Sequence, residues 1–137
     1  MRRGFNLIEL IIAIVIMGIL AYVAVPSFSS LLSDTHMVNL KKFVTTLNTT
    51  TAPILWGKSL DSGYNGSISK LGIDSKEKLA KYIKIPPEIE SVDLTKCNDS
   101  TKDIEVMQIN KNIAGFEAKI VCRDGNMSEP AYFKIVK

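Results

Sequence analysis

The chain has 137 residues, 46% hydrophobic and 23% charged, enough for one modest domain within the ordinary globular range. Removing Arg2 and Arg3 from the 17 basic residues leaves 15 against 14 acids, a net charge of +1. Near-neutrality excludes binding driven by accumulated Lys and Arg, such as strong nonspecific attachment to nucleic acid.

The apolar content is unevenly spread. Residues Leu10 to Val25, LIIAIVIMGILAYVAV, carry no charged or strongly polar side chain, whereas everything after Pro26 reads as a soluble domain. A helix over Phe5 to Val25 spans the ~30 Å of a bilayer's hydrocarbon core at ~1.5 Å per residue. Its basic flank is Arg2 and Arg3, so the positive-inside rule places the N-terminus in the cytoplasm and the C-terminal domain across the membrane. A secretory signal peptide cut near AYVAVPSF is the competing reading. Glu9 argues against it, because a carboxylate costs about 2.5–3.5 kcal/mol at mid-membrane and an ordinary leader gains nothing from one. An acid in that position calls for a partner.

The segment GFNLIEL, with a short basic leader before it and an apolar run after it, resembles the processing signal of type IV prepilins and type II secretion pseudopilins. The resemblance implies a membrane-embedded prepilin peptidase that cuts after Gly4 and methylates the new N-terminus, Phe5. It implies that Glu9 neutralises the terminal amine of a neighbouring subunit, which would supply the partner that desolvation demands. It extends through Gly18 and Pro26, where the family has a helix-weakening glycine and a proline beyond the membrane run. A proline removes a backbone donor and crowds the preceding turn, so a kink or loosening is expected at Pro26. Asn6 stands where Thr is usual.

The expected organisation is a leader over residues 1–4, a membrane and assembly half-helix over 5–25, and a globular domain over 26–137. The fold class expected is α+β and pilin-like, with the long helix packed by its C-terminal half on a small antiparallel sheet. Leu40, Phe43, Val44 and Leu47 follow helical spacing and form the stripe expected to meet the domain. Phe28, Leu31 and Leu32 form an earlier stripe, either facing neighbouring subunits or joining the same core. Pro53 and Gly57 predict a helix end near Ala52. Such a helix cannot bury its first half in a chain this short, so that half must face lipid or other copies.

Lys58 to Asp74 reads as loop. A short helix is predicted next, opened by Asp74 with Glu77 as a capping box and closed before Pro86 and Pro87. Lys78, Lys81 and Lys84 would share one side of it, either as a solvated face or as a contact for DNA or an anionic surface. Three strands follow at Ile104 to Asn110, Phe116 to Cys122 and Ala131 to Val136, with turn signals at Asn112 to Gly115 and Asp124 to Asn126.

Outside the cytoplasm Cys97 and Cys122 are expected as a disulfide worth about 3–4 kcal/mol; two separate buried thiols are the other reading. By resemblance, residues Asn98 to Val121 would correspond to the variable region that a C-terminal pilin disulfide encloses, although here that region holds two core-like strands. His36 lies on the predicted helix surface with no acid or nucleophile suggested by spacing, and no catalytic set can be assembled. Asp99, Asp103 and Glu105 form an acidic cluster that reads either as a calcium site, as the resemblance implies for some pseudopilins, or as an ordinary hydrated loop. EF-hand spacing is missing, so the loop is the simpler reading and no metal or cofactor is expected. Asn126-Met127-Ser128 fits a glycosylation acceptor but serves more simply as a turn.

The function these residues imply is that of a non-enzymatic subunit polymerising through its N-terminal helix. Its partners would be identical or related pilin subunits, prepilin peptidase, an inner-membrane assembly platform with its ATPases, and membrane lipid before assembly. It would be inserted in the inner membrane first and then reside in an extracellular pilus or a periplasmic pseudopilus. The alternative is a minor pilin or pseudopilin that primes assembly or binds DNA, a surface or secreted cargo.

Overall fold

The computed structural model describes residues 4–137, apart from the side chains of residues 25–27 and 29. The chain divides into two units, Met1–Asp34 and Thr35–Lys137. Helix α1 covers Leu7–Thr46. It includes position 26, but the Pro26 side chain and the kink expected there lie outside the described residues.

Helical structure does not stop near Ala52. A π-helical turn, Leu47–Thr51, leads directly into α2, Ala52–Asp61. The Ala52 amide donates to the Leu47 carbonyl, five residues back, and Pro53 then falls in the first turn of α2. That position asks nothing of the missing proline N–H, so the proline starts a helix here instead of ending one. The wider turn accommodates the ring that a regular α-helix would reject. Gly57 is also carried inside α2, because one glycine costs a helix only about 1 kcal/mol.

The expected loop after Lys58 therefore begins only beyond Asp61, and it contains a 3₁₀ turn at Ser69–Leu71. Helix α3 is short, Lys76–Leu79, and its cap is Ser75, which accepts from the Lys78 amide. Asp74 instead pairs with Lys78 Nζ at 2.8 Å, so the expected Asp74–Glu77 capping box is displaced by one residue.

The domain's sheet has four antiparallel strands in the order β1-β2-β3-β4. These are β1 (Ile89–Val92), β2 (Ile104–Ile109), β3 (Lys119–Arg123) and β4 (Tyr132–Val136). The last three match the predicted strands within a few residues. The fourth, β1, is too short to carry a periodic signal and exists through its pairing with β2. A register irregularity between Glu105 and Met107 lets two consecutive residues, Val106 and Met107, both be buried. The predicted turn at Asn112 to Gly115 is a single helical turn, α4 (Lys111–Ala114), capped by the Asn110 side chain and closed by Gly115 at φ 81°.

Leu40, Phe43, Val44 and Leu47 are buried as their spacing predicts, and Leu55 of α2 extends the same stripe. They share one core with Ile68, Leu79, Ile89, Leu94, Met107, Ile120 and Phe133. Phe28, Leu31 and Leu32 are exposed and outside that core. Asn48, in the π turn, accepts from the Phe133 amide at 2.7 Å and donates to the Phe133 carbonyl at 2.9 Å. One side-chain amide thus completes backbone pairing on the outer edge of β4, where both groups would otherwise be buried without partners. Cys97 and Cys122 are both buried and disulfide-bonded, with Cα atoms 5.7 Å apart. The bond ties the 3₁₀ turn Leu94–Lys96 to β3, and the segment it encloses holds β2 and most of β3.

Candidate assembly surface

The first turn of α1 begins at Asn6, whose carbonyl accepts from the amides of Glu9 at 3.0 Å and Leu10 at 3.3 Å. Three residues on, the Glu9 carboxylate reaches back and accepts from the Asn6 amide at 3.2 Å. This is the acidic half of a capping box, and asparagine suits the cap position as well as threonine does. The departure at Asn6 from the usual residue therefore preserves the local geometry. Gly4, Phe5, Asn6 and Glu9 line one shallow depression, so the proposed cut and the acid lie together.

From Leu7 to Ala24 the helix is long and apolar enough to cross a membrane, with mean hydropathy 2.7 and none of it buried. Phe5 is 89% exposed, and the Ile, Leu, Val and Met side chains behind it are exposed in every direction. Each of these would gain about 1.5–3 kcal/mol on leaving water, which makes the segment a surface for lipid or for other helices. A Cβ added to Gly18 would meet nothing within 4 Å, so its own subunit does not require a glycine there.

The structure treats the other singled-out residues differently. Helix α3 ends at Leu79, so Lys78, Lys81 and Lys84 form no helical stripe; Lys78 is engaged by Asp74 and the other two lie beyond the helix. Asp99 accepts from the amide and hydroxyl of Thr101, Asp103 pairs with Arg123 at 2.6 Å, and Glu105 pairs with Lys119 at 3.4 Å. The three acids are thus spent separately. The Thr101 hydrogen bonds, with some help from Lys102, hold the Asp99 carboxyl below its ordinary value.

His36 does have an acid partner. Its Nδ1 donates to Glu88 Oε1 at 2.6 Å across 52 residues of sequence, a contact that no spacing rule could reveal. Glu88 is 1% exposed and also accepts from Asn39 at 3.4 Å, while its second oxygen has no partner among the described residues. Asp124, expected as a plain turn residue, is buried and accepts from the amides of Ile68 and Gly125 and from the hydroxyls of Ser67 and Ser69. It locks the loop before Ser69 to the loop between β3 and β4. At that junction Gly66, at φ +85°, lies so close to Asn126 that a Cβ would stand 2.1 Å from the Asn126 carbonyl oxygen.

No solved structure matches the chain. Residues 1–24, the segment that holds Gly4, Phe5, Glu9 and the exposed helix, match the family model of the prokaryotic N-terminal methylation motif, and the chain therefore carries the signature of type IV pilins and pseudopilins.

Proposed function

We propose that the chain is the precursor of a structural filament subunit, cut after Gly4, methylated at Phe5 and polymerised through the helix that follows. The observation that carries this reading is a wholly exposed apolar helix whose one carboxylate, Glu9, stands beside the Gly4–Phe5 bond. The motif implies pilin partners and a prepilin peptidase. In the membrane the helix is solvated by lipid, with the globular domain outside the cytoplasm. In the filament, lipid is exchanged for other copies of the helix.

Burial of apolar helices against one another is nearly independent of register, since every face is similar. The Glu9 carboxylate changes that, because it is satisfied only where a positive amine meets it. The amine created at Phe5 by cleavage is that charge, so processing and assembly become linked. An uncut chain keeps its amine on Met1 and offers no cation at the correct depth.

Intact mass and N-terminal sequencing of the protein from its native host test this reading directly. The expected result is a chain starting at methylated Phe5 and recovered in sheared surface or periplasmic fibres. In Glu9→Ala, fibre recovery falls by about a hundredfold or more, since stripping one partner from a desolvated pair costs about 3–5 kcal/mol. A chain still starting at Met1, or one cut beyond Val25 and indifferent to Glu9, overturns the proposal.

A further inference from the structure

The globular domain carries a groove and, elsewhere on its surface, a feature that fits it. The groove is an open, mainly apolar cleft of about 460 Å³ between α1 and the segment leading to β1, lined by Phe43, Thr46, Ile83, Pro86 and Pro87. Lys42 and Lys84 also line it, and neither has a carboxylate partner among the described residues. Lys76 and Glu77 border the adjoining face of the same Pro86–Pro87 ridge, where Lys76 is held by the Ile89 carbonyl. The two prolines make one wall stiff, so little order is lost on filling the cleft.

The complementary feature is the loop between β3 and β4. Met127 stands at its tip, 70% exposed, yet the loop beneath it is tightly held. Asn126 Oδ1 accepts from the amides of Ser128 and Glu129, the Asn126 amide donates to the Glu129 carbonyl at 2.9 Å, and Trp56 Nε1 donates to the Asn126 carbonyl at 2.7 Å. A rigid loop that holds a large, adaptable apolar side chain in water is costly unless something receives it. Beside Met127 is Glu129, whose carboxylate has no cation partner among the described residues, whereas Arg123 and Asp124 nearby are both engaged.

We propose, building on the filament reading above, that Met127 of one copy seats in the Phe43–Ile83–Pro86–Pro87 groove of a second copy, with Glu129 facing Lys42 and Lys84. The two surfaces do not meet within one chain: Glu129 lines a different depression, with Asn48 and Tyr132, and makes no ion pair with Lys42 or Lys84 among the described residues. Contact between two different patches is head-to-tail and leaves a free groove at one end and a free loop at the other, which propagates an open filament where the rotation between copies does not close a ring. Charge favours the pairing: Lys42 and Lys84 have no carboxylate partner and Glu129 no cation partner among the described residues, so loop-to-groove contact sets opposite charges together.

The test uses the full chain in cells with its own assembly machinery. Glu129→Lys and Lys84→Glu each lower fibre recovery about tenfold, and the double exchange restores it. A chain carrying Met127→Cys with Pro86→Cys gives, on mild oxidation of fibres, a ladder of disulfide-linked multimers on a non-reducing gel. Glu129→Lys protein that melts at the wild-type temperature yet assembles poorly supports the contact. Wild-type fibres together with unaffected charge variants and no ladder overturn it, as do cross-links confined to single chains or directed to another protein. Absence of any wild-type fibres removes the filament reading itself, and this contact with it.

Discussion

Glu88 is the residue at which sequence and structure differ most in meaning. In sequence it is one acid after two prolines; in the fold it is a buried carboxylate held by His36 and Asn39. Burial pushes its carboxyl up, but the His36 hydrogen bond, its own backbone amide, the Asn39 contact and the His36 charge together bring it below the ordinary value. A depressed carboxyl adds stability that is present above its unfolded value, about 4.3, and is lost as pH falls through the folded value. Denaturant titrations of the full chain in detergent are therefore expected to show an acid-side loss that Glu88→Gln flattens. His36→Ala is expected to cost about 1.5–3 kcal/mol at pH 7, the worth of a hydrogen bond to a charged group. The exposed pairs that lower Asp74 and Glu117, through Lys78 and Lys111, contribute little by comparison.

Among the elements, the π turn before Pro53 decides how the helical path continues. Three threonine hydroxyls, of Thr45, Thr46 and Thr49, bond back to carbonyls four residues earlier, which loosens the ladder just where it widens. Pro53 and Gly57 both read locally as stops, and both are overruled because Leu47 and Leu55 on either side gain burial. Gly57 is accordingly an unused opportunity, since an added Cβ meets nothing within 4 Å. Gly57→Ala is expected to stabilise the domain by about 0.5–1 kcal/mol, measured as an upward shift in the denaturant midpoint with unchanged slope. The predicted strands were legible because β2, β3 and β4 carry β-branched and aromatic residues between turn signals. The edge strand β1 has four residues and only its partner's register to define it.

For the whole molecule, the disulfide is the main covalent constraint. It closes a loop of sequence separation 25 that contains β2 and most of β3. In the chain-entropy model its removal costs about 3–4 kcal/mol, so Cys97→Ser with Cys122→Ser is expected to lower the unfolding free energy by that amount. The check is the denaturant midpoint of the double variant against the oxidised wild type. Enclosing core strands in this way makes the cross-link a device of folding stability, whatever surface the loops around it present. The exposed N-terminal helix lies outside that loop and draws nothing from it.

What the sequence determined by itself is local and contiguous. The apolar run, the methylation motif that holds Gly4, Phe5 and Glu9, and the stripe Leu40, Phe43, Val44 and Leu47 are readable because each depends on neighbours close by in sequence. Only the tertiary structure decided that Pro53 begins a helix, that His36 meets Glu88, that Asn48 completes the edge of β4 and that Asp124 is buried. These contacts join residues separated by more than 50 positions, apart from the Pro53 turn, which the packing on either side of it settles. Buried polar groups must find partners wherever the fold brings them, and no periodicity along the chain encodes which partner that will be.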